Sequence, residues 1–168
     1  MLKLLLRLIK NLILYTLIIV LSVIIRQFIG FNVVDGESMQ PLLSDGDILF
    51  GYKVDPEKLT RYDVVTFYDP EDPSQLLVKR VIGLPGDEIT LKEDDVYING
   101  EQETLLYHTP TFDEQTTVTH TVPEGHVYVL GDNRHNSRDS RLLGMIPFDT
   151  LYFHEIVRLW PLDSVKSL

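Results

Sequence analysis

Residues 11–25 form an unbroken uncharged run between Lys10 and Arg26, and no other feature restricts the architecture of this chain as much. As a helix the run spans about 22 Å, short of the roughly 30 Å hydrocarbon core of a bilayer. The apolar flanks Leu4, Leu5, Leu6, Phe28 and Ile29 extend it, and the stems of Lys10 and Arg26 can reach the headgroups. A single transmembrane helix is therefore expected. A secretory signal peptide shares the basic start and apolar middle, but its processing site needs small residues, and the sequence contains no alanine. Val34-Asp35-Gly36 is a weak substitute, so a retained anchor is the stronger reading. Lys3, Arg7 and Lys10 precede the run, which favours a cytoplasmic N-terminus and sends residues from about 31 onward outside.

Charge divides the chain at the same place. Of 15 Lys+Arg, four lie in the first 30 residues with no acid; the remaining 138 residues hold 11 bases against 25 acids, a net charge of −14. An acidic body argues against nucleic acid as a partner, since such binders cluster bases on one face. With no cysteine, disulfides and thiol catalysis are excluded. No cluster of metal-ligand spacing stands out, and no cofactor is expected.

Beyond residue 30 the pattern is that of a mostly β, antiparallel domain. Residues 47–53, 63–68, 76–84, 96–98, 116–122, 126–130 and 152–159 read as strands rich in β-branched and aromatic side chains. Asp45-Gly46, Pro85-Gly86 and Asn99-Gly100 are turn signals between them. Residues 92–122, acidic and rich in threonine, read as a small β subdomain inserted in the main sheet. The organisation expected is thus residues 1–30 as cytoplasmic tip and anchor, and residues 31–168 as an extracytoplasmic catalytic domain.

Ser38 lies 13 residues past Ile25, close to the outer surface of the membrane. A serine nucleophile needs a base. His108, His120, His126, His135 and His154 have no distinguishing context, although a Ser-His-Asp triad has no fixed spacing and stays open. Lys79 is better motivated. Strand alternation places Lys79 and Arg80 on opposite faces, so at least one cation lies among apolar neighbours. Burial lowers the pKa of a lysine, and the neutral amine can accept the serine proton. The plain alternative is an edge strand whose charges discourage aggregation. The run from Gly131 to Arg141 reads either as a solvated loop or as a site wall stiffened by Asp139 with Arg141 and by Asp132 with Arg80.

Four segments in order sharpen this: Gly36-Glu37-Ser38-Met39-Gln40-Pro41 with Gly46-Asp47; Arg61-Tyr62-Asp63-Val64-Val65; Lys79 to Asp87; and Gly131 to Arg141. With the anchor they resemble the bacterial type I signal peptidases over residues 1–160, in the short single-span form typical of Gram-positive bacteria. The resemblance implies an antiparallel, barrel-like β catalytic domain of the signal-peptidase type. It implies a membrane-bound serine endopeptidase that removes signal peptides with a Ser-Lys dyad. Ser38 would be the nucleophile and Lys79 the general base; Ser137 would orient the amine; Asp139 with Arg141 and Asp132 with Arg80 would be structural pairs. Substrates would be secretory preproteins with small residues at the first and third positions before the cut, bound as an added strand over two shallow apolar pockets. Membrane lipid and the secretion translocon would be the other partners.

Two positions depart from the family pattern. Leu42 stands where threonine is usual. Gly36 stands where some members place a serine that holds the oxyanion, so that task would fall to backbone N–H groups, that of Ser38 first, with Gly36 permitting close approach. Met39 is expected to line the substrate cleft or dip into the outer leaflet. Two other readings share these features: a self-cleaving Ser-Lys repressor-type protease, and a non-catalytic, membrane-tethered assembly factor on the same fold. The first normally carries a DNA-binding domain, and the second would be expected to lose the serine or lysine.

Overall fold

The computed structural model describes residues 2–92, 95–103 and 117–168. Helix α1 (Leu2–Ile25) opens the chain. Its stretch Leu6–Ile25 is long and apolar enough to cross a membrane, and none of it is buried against the rest of the protein. Thr16 and Ser22 donate to the carbonyls of Leu12 and Ile19, which removes two hydroxyls from competition for water. A predominantly apolar helix exposed on every side is stable only in an apolar medium, and its 20 residues rise about 30 Å, the depth of the hydrocarbon core.

Two antiparallel sheets follow. The strands are β1 (Ile29–Val33), β2 (Ile48–Lys53), β3 (Val64–Tyr68), β4 (Leu76–Gly83), β5 (Glu88–Lys92), β6 (Asp95–Ile98), β7 (Glu101–Gln102), β8 (Val118–Thr121), β9 (His126–Leu130), β10 (Ile146–Pro147), β11 (Leu151–Trp160) and β12 (Lys166–Ser167). The larger sheet runs β1-β2-β11-β3-β4-β9-β10, with β12 beside β11; the smaller runs β7-β6-β5-β8. A single turn of helix, α2 (Ser140–Leu143), lies between β9 and β10.

β1 begins three residues after α1 ends and pairs with β2 from Ile29↔Tyr52 to Val33↔Ile48. Sequence reading absorbed its first two residues into the anchor, because their apolar character continues that of the helix. The smaller sheet starts at Glu88, four residues before the expected insertion. In β5 Ile89 and Leu91 are buried while Glu88 and Lys92 are exposed, an alternation visible in the sequence. Residues 104–116, including the first residue of the expected strand 116–122 and His108, lie outside the described residues. Arg61 ties the two sheets together, donating to the Ile82 carbonyl at 2.8 Å and pairing with Asp87 at 3.2 Å.

Three apolar clusters form the core. One, built from Val34, Met39, Leu42, Leu43, Leu49, Val64 and Val78, holds the segment after Ser38 against the main sheet. Met39 is fully buried in it, neither lining the cleft nor facing lipid, because the turn beginning at Ser38 directs it inward. A buried side chain of that size contributes roughly 1.5–3 kcal/mol, enough to pin the loop from below. Leu42 fills the same cluster, where the hydroxyl of a threonine would need a partner.

Candidate active site

Ser38 sits on the loop between β1 and β2. The loop is closed by Val34 N–H to the Asp47 carbonyl and Gly46 N–H to the Val34 carbonyl, both 2.9 Å. On the other side the Asn133 N–H donates to the Ser38 carbonyl at 3.0 Å. Anchored from two directions, the serine side chain is held without a helix or strand of its own.

Lys79 is in β4, directly opposite Val65 of β3. Its Nζ lies 2.7 Å from Ser38 Oγ and donates to the Val78 carbonyl at 2.7 Å. β4 lies between β3 and β9, so the edge-strand reading is excluded: Lys79 is only 2% exposed. Burial lowers its pKa to about 8, although the charges of Asp139 and Asp132 pull the other way. Arg80, on the opposite face of the strand, cannot shed its proton. It is instead paired with Asp132, Nε to Oδ1 at 2.8 Å and Nη2 to Oδ2 at 2.6 Å. Adjacent cations, both buried, thus meet burial in different ways: the lysine ammonium loses its proton more readily and the arginine acquires a carboxylate.

The run after β9 is a wall, not a solvated loop. Asp132, Arg134, Asp139 and Ser140 are buried. Asp139 accepts from Arg141 Nε and Nη2, both at 2.8 Å, and from the Gly131 N–H at 2.9 Å. Burial would raise the Asp139 pKa, but Arg141 and that N–H hold it below the usual carboxylate value. Arg134 pairs with Glu103 at 3.2 Å, joining the wall to the second sheet.

Ser38 and Lys79 stand in a cleft of about 450 Å³, between the segment from Phe31 to Ser38 and that from Gln75 to Lys79. A buried amine whose pKa is lowered to about 8, touching a hydroxyl, is an arrangement in which a base can activate a nucleophile. The model of the family described as signal peptidase, peptidase S26, matches residues 5–160. The chain belongs to that family. Its relatives include signal peptidase I of Bacillus caldolyticus, 36% identical over 154 residues, 82% of this chain and 83% of the relative. Signal peptidase I of Streptococcus pneumoniae serotype 4 is 32% identical over 92% of this chain and 94% of its own length. A crystal structure of a signal peptidase I from Enterococcus faecalis V583 aligns with a TM-score of 0.50 at 32% identity, covering 58% of this chain and 96% of that one.

Within this signal peptidase framework, two expectations need adjustment. Ser137 does not hold the lysine amine, whose partners among the described residues are Ser38 Oγ and the Val78 carbonyl. Gly36 has φ +94, a left-handed backbone conformation that favours glycine. Its N–H is bound to Asp45 Oδ1 at 2.8 Å and is not available for an oxyanion. Residues that sequence reasoning passed over include Asn133, which braces Ser38, and Arg138, which lines the cleft and pairs with Asp69 at 2.7 Å. Neither carries a spacing signal, since each acts through a contact between distant segments.

Gly131 is where steric room is tight. A Cβ there would overlap Ser137 Oγ and fall 2.5 Å from the Ser38 carbonyl oxygen. Gly131→Ala is expected to cost about 1–3 kcal/mol of stability and to cut the rate more than it weakens substrate binding, because the loop carrying Ser38 must shift. Unchanged kcat in the alanine variant would show that the loop tolerates displacement.

Proposed function

We propose that this chain is a membrane-anchored endopeptidase that cleaves signal peptides from secreted preproteins, with Ser38 as nucleophile and Lys79 as general base. The 2.7 Å approach of Lys79 Nζ to Ser38 Oγ, with the amine buried, carries the reading. Ser38 Oγ attacks the carbonyl carbon of the residue before the cut as its proton passes to Lys79 Nζ. The oxyanion is taken by the Ser38 N–H, which has no partner among the described residues. Lys79 then returns the proton to the departing amine, leaving an ester on Ser38. A water molecule, deprotonated by the same amine, hydrolyses that ester and frees the signal peptide.

Residues 1–30 are the cytoplasmic tip and anchor in this reading, and the β domain is extracytoplasmic, as the bases Lys3, Arg7 and Lys10 in the first turns of the helix favour. Lipid and the translocon are the surroundings in which the preprotein is met. The rest of the wall has structural roles: Arg80 with Asp132, and Asp139 with Arg141, keep the strand bearing Lys79 and the loop bearing Ser38 in register.

The test is cleavage of a preprotein by the purified full chain in detergent or phospholipid vesicles, with the new N-terminus sequenced. A single cut at the signal-peptide junction is expected. The rate should climb from pH 6 and level off above about pH 8, as the amine loses its proton. A flat profile from pH 6 to roughly 10 would remove Lys79 from the role of base.

A further inference from the structure

Three polar side chains lie together beneath the cleft, where an apolar floor would be simplest to build. Asn32 is directly opposite Leu49, Thr66 is opposite Val78, and Glu155 is opposite both Gly51 and Val64. Side chains directly opposite in a ladder share a face, so Glu155 sits on one face of the sheet with Asn32 to one side and Thr66 to the other. Glu155 Oε1 accepts from Asn32 Nδ2, and from Thr66 Oγ1 at 3.2 Å. Glu155 is 1% exposed and its Oε2 is buried without a partner among the described residues; only glycine at residue 51 leaves room for it, since a Cβ there would fall 2.6 Å away. Burial raises its pKa, partly offset by Asn32 and Thr66. Oε1 is an acceptor whether the carboxyl is ionised or neutral, because both neighbours donate to it.

That carboxyl orients the Asn32 amide. With Nδ2 committed to Glu155, the Asn32 Oδ1 is left without a partner among the described residues, and Asn32 and Thr66 both line the cleft. A substrate strand lying between the cleft's two segments, with its cut bond at Ser38, presents the first and third residues before the cut on one face, about 6–7 Å apart. The first lies beside Ser38 and Lys79. The third reaches the floor made by Asn32, Leu49, Thr66 and Val78.

We propose that Asn32, held in orientation by Glu155, makes this cleft select threonine or serine over an apolar residue of equal size at the third position before the cut. This rests on the peptidase reading above and departs from two plain apolar pockets. A hydroxyl at that place donates to Asn32 Oδ1. Valine, the same shape as threonine, leaves that oxygen dehydrated and unpaired, which is where a binding site discriminates most. Asn32 is the contacting residue, and Glu155 acts through it as a positioning residue.

Two signal peptides identical except for threonine or valine at the third position test this. The full chain in detergent should show kcat/KM about tenfold higher for threonine, the usual size of one hydrogen bond. Dissociation constants on the Ser38→Ala variant should rank the same way. Asn32→Leu and Glu155→Leu should bring both ratios to about one or invert them, whereas Glu155→Gln, which keeps an acceptor oxygen, should preserve them. Equal cleavage of the two peptides by the wild type, or a threonine preference that survives Asn32→Leu, overturns the selection and leaves the peptidase reading standing. Threonine-favouring binding without any cleavage overturns the peptidase reading and leaves the selection standing. Binding of neither peptide overturns both.

Discussion

Lys79→Met is expected to abolish cleavage while raising the melting temperature at neutral pH. The two effects have one cause. Lys79 is 2% exposed and, among the described residues, hydrogen-bonds only a hydroxyl and a carbonyl, so its charged form is poorly solvated and its pKa falls from 10.5 to about 8. Below pH 8 the folded protein still protonates this amine and carries the full cost of a buried charge. The cost shrinks as pH rises from about 8 to 10.5, where only the unfolded chain holds the proton, and is gone above that. A shift of this size corresponds to about 3 kcal/mol. Methionine has similar length and no charge, so at pH 7 the variant should gain about 1–3 kcal/mol after the lost hydrogen bonds are counted. The gain should vanish above about pH 10.5. Activity should fall at least about 10³-fold, as for removal of a base that acts as a unit with its nucleophile. Ser38→Ala should lose activity to the same degree but keep the pH dependence of stability. Melting curves of the three proteins from pH 6 to about 11, in one detergent, separate the cases. An inactive Lys79→Met protein no more stable than wild type at pH 7 would mean that the amine is not strained by burial.

Asp139→Ala is expected to be the most damaging single change in the wall. Asp139 has no solvent exposure, and its two oxygens serve Arg141 and the Gly131 N–H, while Oδ1 also caps α2 through the Arg141 N–H. Removing it takes the carboxylate from a guanidinium whose side chain is 12% exposed. Breaking a buried pair in this way costs about 3–5 kcal/mol, mostly from the charge left behind. Activity should drop as well, since Gly131 packs against the Ser38 carbonyl. The depressed Asp139 pKa implies a pH window: its contribution is complete above about 3.8 and is lost as pH falls through the lower folded value. Asp69 and Asp87 are held down in the same sense, each against burial, by Arg138 and by the Leu84 N–H respectively. Acid unfolding should therefore steepen below about pH 4, and Asp139→Asn should show a shallower slope there. Urea denaturation at pH 7 measures the first effect, and a stability difference under 1 kcal/mol for Asp139→Ala would contradict it.

The anchor, the antiparallel strands and the two residues that meet at the site could all be read before any coordinates. An apolar run between isolated charges states its own environment. The period of two along a strand, as in residues 76–84, states which side chains share a face. Other features depended on distant segments meeting. Nothing near Met39 signals that the turn directs it inward, and Ser137 was read as the amine's partner although the Val78 carbonyl occupies that place. Arg134 and Glu103 are 31 positions apart, Asn32 and Glu155 123 apart, and neither pairing leaves a local trace.

By itself, then, the sequence determined that a basic, apolar N-terminal segment precedes an acidic β domain, and that a serine, a lysine and a polar wall follow in the order of the signal peptidase family. Alternation even required one of Lys79 and Arg80 to be buried. Only the tertiary structure decided that both are, Arg80 against the Asp132 carboxylate and Lys79 against the Ser38 hydroxyl and the Val78 carbonyl. Strand register is local chemistry, but the dielectric around a side chain is set by every segment packed against it. The charge state of Lys79 is therefore a property of the fold.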